Sequence, residues 1–337
     1  MLKVLSGQEI DSSKWRKFVL SHSNGNIFQT WEIYELYSRA RNYKPITLCA
    51  VNEHDEILGT LLVVIQKELS GILGYFTSRA IVFGGPLIKD NDPTVLNLIL
   101  SEYKKVIRGE AIYTQFRNLW DFGSQKQIFK ENGFKFEDHL DILVNITKTE
   151  SELREDLSRD RKKSINKGTK YLTVKLIDGK QYIDEIYRLL NLVYHRIRLP
   201  LPRKEFFIQA MDEFYDNGML KVFAAHMNND IVGVRLVLCY KEIVYDWYAG
   251  ADDRFLEFRP NDILPWNIFL WGKNNGFSVF DFGGAGKPNI PYGVRDYKLK
   301  FGGELVDFGR FEMIHKPVVF KIAKFGLSIY KKLYGLF

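Results

Sequence analysis

An internal repeat is the feature of this sequence that most constrains its fold. Residues 48–68 align with residues 222–242 without a gap. The identical positions are Ala50/Ala224, Ile57/Ile231, Gly59/Gly233, Leu62/Leu236, Val63/Val237, Lys67/Lys241 and Glu68/Glu242. In each copy apolar and β-branched residues flank a polar tip, and a glycine lies at the start of the second apolar run, a pattern typical of a β-hairpin. The repeat therefore predicts two copies of one folding unit.

Each half also contains a helix-like segment that stops at Asn-Gly-Phe, at residues 132–134 and again at residues 275–277. Glycine tolerates the left-handed conformation that ends many helices, so it marks the stop. Both halves thus show amphipathic helices, a hairpin, a further strand, a helix and a last strand. This alternation predicts an α/β fold (α+β layers) with two tandem domains. The alternative is a chance similarity between two amphipathic hairpins.

Length and composition agree with two domains. A chain of 337 residues exceeds the usual size of one hydrophobic core, and 46% hydrophobic residues is typical of a folded protein. We expect an N-terminal domain at residues 1–145 and a C-terminal domain with the active site at residues 146–315. Cys49 and Cys239 lie inside apolar, strand-like runs, and we expect both to be reduced core residues.

The charge balance indicates an anionic partner. A formal net charge of +7 favours association with nucleic acid, a nucleotide-linked substrate or an acidic membrane. No segment approaches the run of about 20 apolar residues that a spanning helix needs. The first residues also lack the apolar stretch and cleavage site of a secretory signal. We therefore expect a cytoplasmic protein, with peripheral contact at the inner face of the membrane as an open alternative.

Residues 316–337 form a basic amphipathic segment that contains no acidic residue. Its lysines are Lys316, Lys321, Lys324, Lys331 and Lys332. A basic amphipathic helix can lie in an anionic membrane interface. It can equally pack on the body of the protein and show its lysines to water. We expect packing, and membrane contact through this helix stays open.

Residues 147–175 carry the densest basic run of the chain. Its basic residues include Arg159, Arg161, Lys162, Lys163, Lys167 and Lys170. Leu153, Leu157 and Ile165 fall at helical spacings, which predicts one helix with a basic outer face. Such a face is either simply solvated or binds a polyanion.

Several classes of enzyme are excluded by the motifs that are missing. The sequence has no G-x-S-x-G elbow, Walker loop, dinucleotide fingerprint or H-E-x-x-H motif. Its six histidines show no metal-ligand spacing, so we expect no metal. The remaining candidate is residues 245–304, where the strand-like run Phe280–Phe282 leads into a glycine-rich turn with Gly283 and Gly284. Backbone N–H groups at such a turn can closely approach an anionic or oxyanion-bearing group.

Several pieces of the sequence, in this order, resemble the Fem (FemAB-like) family of peptidoglycan-bridge aminoacyltransferases. They are Phe28-Gln29 with Trp31, the run 161–168 in the basic segment, Tyr248-Ala249-Gly250-Ala251, Asp281-Phe282-Gly283-Gly284, and Tyr297-Lys298 before Phe301-Gly302. The resemblance covers nearly the whole chain, and it is most specific in the second half.

The resemblance implies two tandem GNAT-type domains without a metal or organic cofactor. It also implies transfer of an amino acid from aminoacyl-tRNA to an amine of a nucleotide- or lipid-linked cell-wall precursor. Tyr297-Lys298 matches the family's aromatic-lysine pair, in which the lysine stabilises charge on the reacting ester. A positioned ammonium facing a developing oxyanion is a reasonable way to lower that barrier.

Further site residues come from the matched motifs. Arg196 matches a basic contact to the phosphates of the precursor, for which a guanidinium is well suited. Asp281 is a candidate proton acceptor or, as a strand-end residue, a structural one. The remaining substrate-binding candidates are Gly283, Gly284, Tyr248, Arg161 and Lys162.

Two rival functions remain open. One is an acyl-CoA-dependent N-acyltransferase in surface-polysaccharide synthesis. It is disfavoured because residues 252–260, where a GNAT enzyme carries its glycine-rich pyrophosphate loop, contain no glycine and several acids. The other is a non-catalytic protein that binds RNA or a membrane surface, since a fold alone does not establish catalysis.

Overall fold

The computed structural model describes residues 2–67, 74 and 76–333, with side chains as far as Gly326. The chain divides into two compact units. The first comprises residues 1–138 and 308–337, and the second comprises residues 139–307. These bounds differ from the expected ones, because residues 139–145 lie in the second unit and residues 308–315 lie in the first.

The first unit contains these elements, numbered in chain order through the protein: β1 (Lys3–Ser6), α1 (Ser12–Ser21), α2 (Trp31–Arg39), β2 (Tyr43–Val51), β3 (Ile57–Gln66), β4 (Arg79–Phe83), β5 (Leu87–Ile88), α3 (Pro93–Ile107), β6 (Tyr113–Arg117), α4 (Gln125–Glu131), β7 (Lys135–Glu137), and, from the end of the chain, β15 (Arg310–Ile314) and α11 (Pro317–Leu333).

Within the described residues, the sheet of this unit has the order β1-β2-β3-β4-β6-β15-β7, with β5 paired to β3. β2 and β3 form the predicted antiparallel hairpin. β4 and β6 are parallel neighbours, and the long helix α3 connects them. The apolar face of α3 packs against the sheet through Leu96, Ile99 and Tyr103, all fully buried.

The second unit contains these elements: β8 (Leu140–Asn145), α5 (Glu150–Asp156), α6 (Arg159–Tyr171), β9 (Thr173–Ile177), α7 (Ile183–Arg196), α8 (Lys204–Phe214), β10 (Leu220–Met227), β11 (Asp230–Tyr240), β12 (Ile243–Ala251), α9 (Pro260–Asn274), β13 (Val279–Asp281), α10 (Gly293–Leu299) and β14 (Glu304–Asp307).

The second sheet, over the described residues, has the order β14-β8-β13-β12-β11-β10-β9. β10 and β11 form the second predicted hairpin. β12 and β13 are parallel neighbours joined by α9, as β4 and β6 are by α3. Both units therefore share hairpin, strand, helix and parallel strand in one order, which confirms the predicted α/β fold of two related halves. Cys49 and Cys239 are buried and unpaired in these sheets.

The two Asn-Gly-Phe signals do end helices, although not at equivalent places. In both motifs the glycine amide donates a hydrogen bond to the carbonyl three residues earlier. The phenylalanine amide donates to the carbonyl five residues earlier, which belongs to Phe129 in the first motif and to Gly272 in the second. This bonding pattern is a Schellman motif, and Gly133 and Gly276 have positive φ. However, the first motif ends α4, whereas the counterpart of α9 is α3. The predicted equivalence of these two helices was wrong because the stop signal is local and carries no topology.

The basic segment is two helices and not the single predicted helix. α5 ends at Asp156 and α6 begins at Arg159, with Leu157 buried between them. Ser158 caps α6, since its hydroxyl accepts a hydrogen bond from the amide of Arg161. Leu153, Leu157 and Ile165 fall at helical spacings although α5 and α6 are separate helices. Their spacing misled the prediction because all three side chains are buried in the same hydrophobic core of the second unit.

Gln29 of the Phe28-Gln29 motif has a structural place in the first unit. β3 and β4 pair only near Val64–Gln66, and beyond that point the buried Gln29 side chain joins them. Its Nε2 donates to the carbonyls of Leu62 and Phe83 at 3.2 and 2.7 Å, and its Oε1 accepts from the Leu62 amide. The amide side chain thus replaces backbone pairing where the strands separate.

None of the helices described is both long enough and apolar enough to cross a membrane.

Candidate functional site

The parallel strands of the second unit separate, and the candidate site lies where they part. β12 pairs with β13 only from Ile243 to Tyr245, although β12 continues to Ala251. After Asp281 the chain remains bonded to β8 instead, through the amides of Phe282 and Ala285. We call the region between residues 246–251 and residues 282–285, where the two strands are no longer paired with each other, the strand cleft. An opening at the carboxyl ends of neighbouring parallel strands is a common place for a ligand site.

The corresponding position in the first unit is closed. β4 pairs with β6 along its whole length, from Arg79 to Phe83. The next amide, that of Gly84, continues the pairing by donating to the carbonyl of Arg117 at 3.0 Å. The guanidinium of Arg117 also lies over the Phe83 ring at 4.9 Å. The two units thus share a topology but differ in this opening, and only the second unit has a strand cleft among the described residues.

A β-bulge distorts the cleft-lining part of β12. Leu236 of β11 pairs with Tyr248 and the following residue, Val237, pairs with Asp246, so Trp247 is the extra residue. A bulge changes the direction of the neighbouring side chains and is often found beside active sites. Here it occurs at the first residues of β12 beyond the pairing with β13.

Lys298 lies on α10 and is held at the strand cleft. Its Nζ donates hydrogen bonds to the carbonyls of Phe282, Gly283 and Gly284, at 2.6, 3.0 and 2.9 Å. Burial lowers the pKa of Lys298, and the nearby carboxylates of Asp246, Asp141 and Asp281 oppose that change. Lys298 is therefore a partly desolvated cation whose hydrogen bonds hold residues 282–284 in place at the strand cleft.

The glycine-rich turn depends on Asp281 and on the absence of a side chain at Gly283. The Asp281 carboxylate accepts a hydrogen bond from the Gly283 amide at 2.6 Å. Gly283 has a φ of +68°, and a Cβ there would lie 2.9 Å from the Tyr245 hydroxyl. Any larger residue would therefore meet both backbone strain and a steric clash.

Asp281 is buried, and it is already hydrogen-bonded to the Gly283 amide and to the neighbouring Asp141 carboxyl. Burial and the neighbouring Asp141 carboxylate raise the pKa of Asp281 well above its usual value. A hydrogen bond between the two carboxyl groups requires one of them to be protonated. The geometry favours the structural alternative for Asp281, in which it holds the glycine turn next to Lys298.

Arg235 and Asp246 are site residues that the sequence analysis missed. They lie on the neighbouring strands β11 and β12, with Arg235 Nε 3.4 Å from Asp246 Oδ1, and both are nearly buried. In the described part of the chain, Arg235 Nη1 and Asp246 Oδ1 have no hydrogen-bond partner. Burial raises the pKa of the Asp246 carboxyl, and the charges of Arg235 and Lys298 act in the opposite direction. A charged residue in the aromatic run 244–248 was the available sequence signal.

Tyr297 supports Lys298 from the preceding position of α10. Its hydroxyl donates to the carbonyl of Asn261 at 2.5 Å, and burial raises its pKa. The Arg161 guanidinium lies 4.5 Å from the centre of the Tyr297 ring and donates to the Tyr297 carbonyl at 3.1 Å. Tyr297 therefore joins α10 to α9 and α6, so its observed contacts orient the helix that carries Lys298.

Arg161 was predicted on a basic outer face, and this prediction was wrong. The side chain is 5% exposed and forms an ion pair with the buried Asp262 of α9. Its guanidinium also lies 4.1 Å from the centre of the Phe301 ring. Lys162, by contrast, is half-buried and donates to the Glu155 carbonyl, while Lys163 and Lys167 are exposed. The basic face of α6 thus includes Arg159, Lys163 and Lys167 but not Arg161.

Arg196 of α7 and Tyr248 of β12 lie where α7 packs against β12. Arg196, the last residue of α7, forms an ion pair with Asp253 just beyond β12. The Tyr248 ring lies 5.0 Å from the Phe207 ring and 5.8 Å from the Tyr194 ring. No hydrogen bond or ion pair joins Arg196 to Lys298 in the residues described. The structure therefore groups Lys298, Tyr297, Asp281, Gly283 and Gly284, while Arg196 is bound elsewhere.

Comparisons with known proteins agree with this architecture. Residues 151–299 match the family described as an acetyltransferase (GNAT) domain. No curated protein is similar to the chain by sequence. FemX has a similar structure, with a TM-score of 0.73 at 16% identity over 94% of this chain and 99% of that chain.

Two further solved structures have the same fold at lower similarity. L-PGS from Bacillus licheniformis superposes with a TM-score of 0.59 at 15% identity, over 93% of this chain and 96% of its own. A tandem GNAT protein from the clavulanic acid biosynthesis pathway also reaches 0.59, at 7% identity over 94% and 99% of the two chains. The expected fold of two tandem GNAT-type domains is thereby confirmed, and the domain match supports an acyltransferase-type function.

Proposed function

We propose that this chain, which has the Fem-like tandem GNAT fold, is an aminoacyltransferase that moves an amino acid from aminoacyl-tRNA to an amine of a peptidoglycan or other cell-envelope precursor. The observation that carries the proposal is the strand cleft of the second unit. There the Lys298 ammonium is hydrogen-bonded to the carbonyls of residues 282–284, and the nearly buried Asp246 carboxylate lies beside Arg235 at the bulge of β12. Opposed acid and base groups of this kind are typical of proton transfer during catalysis.

The reaction assigns one role to each of these groups. The acceptor amine attacks the carbonyl carbon of the aminoacyl ester, so a C–N bond forms and the C–O bond to the ribose breaks. The Lys298 ammonium turns from one of its backbone carbonyls to the oxyanion that develops. Asp246 accepts the proton that the amine loses, and the departing ribose oxygen is protonated from Lys298 or solvent.

The charged residues after β12 and on α6 support an RNA-linked donor over acyl-CoA. The segment between β12 and α9 contains Asp252, Asp253 and Glu257 and no glycine, so it is a poor cradle for a pyrophosphate. The exposed lysines of α6, among them Lys163 and Lys167, offer positive charge to an RNA backbone. Arg196 is proposed to bind the phosphates of the precursor by exchanging its partner Asp253 for them.

The test is a transfer assay with the full chain. The protein is incubated with charged tRNA or acyl-CoA together with nucleotide-linked and lipid-linked precursors, and the products are identified by mass. We expect a precursor whose mass increases by one amino acid residue, with tRNA and not with acyl-CoA as donor. Products made from acyl-CoA alone would establish the N-acyltransferase alternative, and RNA or lipid binding without any product would establish a non-catalytic protein.

Two substitutions connect this activity to the strand cleft. Asp246→Asn should greatly reduce the amount of product while tRNA binding persists. Asp212→Asn is the matched control, because Asp212 is an exposed carboxylate of the same unit that forms an ion pair with Lys180. Full activity in Asp246→Asn would remove Asp246 from the mechanism without touching the assignment of donor and acceptor.

A further inference from the structure

The last helix, α11, presents a row of large apolar side chains to solvent. Val318, Ile322 and Phe325 are 70%, 56% and 68% exposed. Their spacing of four and then three residues places them on one face of the helix. Single exposed apolar residues are ordinary on protein surfaces, whereas a continuous row on one helix face is typical of an interaction surface. We call these three residues the outer face of α11.

The opposite side of α11 is attached to the first unit. The Phe320 ring packs edge-on against the Tyr113 ring of β6 at 5.3 Å. Just before the helix, the His315 ring is hydrogen-bonded to the Thr114 hydroxyl at 2.6 Å. The outer face is therefore exposed on a helix that is already packed, and its apolar residues are not explained by contact with the body of the protein.

The charged residues of the α11 segment are all basic, since the sequence from residue 313 to the end contains no acidic residue. Lys321 is exposed next to the outer face, while the exposed Lys324 extends over the Phe320 ring, 4.9 Å from its centre, on the packed side of the helix. Lys331 and Lys332 belong to this sequence but lie outside the described side chains. A second copy of the helix would bring like charges together, which opposes self-association through this face. Apolar anchors beside unopposed lysines instead match the interface of an anionic bilayer.

We propose that the outer face of α11 binds the surface of an anionic lipid bilayer, with the helix lying parallel to that surface. Val318, Ile322 and Phe325 enter the boundary between headgroups and acyl chains. Lys321 remains at the level of the anionic headgroups, and Lys324 adds electrostatic attraction from the other side of the helix. This places one face of the first unit against the membrane, and it does not depend on the reaction that the second unit performs.

Binding of the full chain to lipid vesicles tests this proposal. Wild-type protein is sedimented with vesicles of phosphatidylcholine alone or mixed with phosphatidylglycerol, at low and at high salt. We expect binding to the anionic vesicles only, decreasing as salt screens the lysines. The combined variant Val318→Ser, Ile322→Ser, Phe325→Ser should lower the partition coefficient by roughly tenfold or more, because three apolar anchors are lost.

Control variants separate this surface from general stickiness. Leu20→Ser removes another exposed apolar side chain of the same unit and should leave vesicle binding unchanged. Lys321→Gln with Lys324→Gln should weaken binding and reduce its salt dependence. The proposal is overturned if wild type does not bind anionic vesicles, if the triple serine variant binds as well as wild type, or if that variant instead converts a dimer to a monomer in size-exclusion chromatography. Circular dichroism verifies that each variant is folded.

Discussion

Arg235 and Asp246 face each other on adjacent strands, with 3.4 Å between Nε and Oδ1, and little of either side chain reaches solvent. A buried ion pair with incomplete hydrogen bonding contributes little to stability, because desolvation of both charges offsets their attraction. The pair lies at the bulge of β12, and the charge of Lys298 acts on Asp246. This position supports the proposed catalytic role of the pair better than a role in stability. Predictions for this cluster therefore separate activity from stability.

Asp246→Asn should lower kcat at least about a hundredfold, because the amide cannot accept a proton. In wild type, kcat should fall as pH drops through the raised pKa of Asp246, since only the ionised carboxylate is a base. The residual activity of the variant should lack this acidic limb. The pH profiles of kcat for the two proteins provide the measurement, and an unchanged limb in the variant would assign the titration to another group.

Lys298→Met should abolish turnover and also destabilise the protein by about 1–3 kcal/mol, because three backbone carbonyls lose their charged partner. Lys298→Arg should recover part of the stability but little of the activity, since the guanidinium has a different shape. Transfer rates and urea unfolding are compared with those of Lys300→Met, which changes an exposed lysine just after the same helix. Near-normal transfer by Lys298→Met would exclude an electrostatic role for Lys298.

Asp281→Asn should be tolerated, because burial and the neighbouring Asp141 carboxyl disfavour a negative charge on Asp281 and the amide has the same shape. The folded-state pKa of Asp281 is raised above its unfolded value, so its contribution to stability is present at low pH and is lost as pH rises through the folded pKa. Wild type should therefore lose stability relative to Asp281→Asn as pH increases. Urea midpoints across the acidic to neutral range give this difference, and a constant difference would contradict it.

Arg161→Gln should destabilise the protein by about 3–5 kcal/mol, since it leaves the Asp262 carboxylate buried without its partner. The exposed Lys163→Gln is its matched comparison on the same helix and should change the urea midpoint little. RNA binding should show the reverse order, with the larger loss in Lys163→Gln. A folded Arg161→Gln protein with a selective loss of RNA binding would restore the surface role first expected for Arg161.

Arg196→Ala should raise the KM for the precursor and leave kcat nearly unchanged, because its proposed contact is with phosphates remote from the reacting ester. Lys180→Ala, at another exposed ion pair of the same unit, should have no effect on KM. Initial rates at varied precursor concentration distinguish the two variants. An unchanged KM in Arg196→Ala would place the phosphates elsewhere.

The sequence by itself determined the two hairpins, and hence a fold of two related α/β halves, and it also determined the helix stops at Gly133 and Gly276. These features are local: alternating apolar residues, polar tips and glycines with positive φ act over a few neighbouring positions. The Tyr297-Lys298 pair was likewise visible in the sequence. What the sequence could not supply was the environment of these residues, such as the three carbonyls that Lys298 binds.

Only the tertiary structure decided which charged residues are buried together. Arg161 looks like its exposed neighbours in the sequence, yet Asp262, a hundred residues away, holds it in the core. Asp246 becomes a candidate base only because β11 brings Arg235 beside it and α10 brings Lys298 to the same cleft. Burial and electrostatic partners are properties of distant segments packed together, and they change both the charge and the role of a side chain in ways that its own neighbours along the chain do not encode.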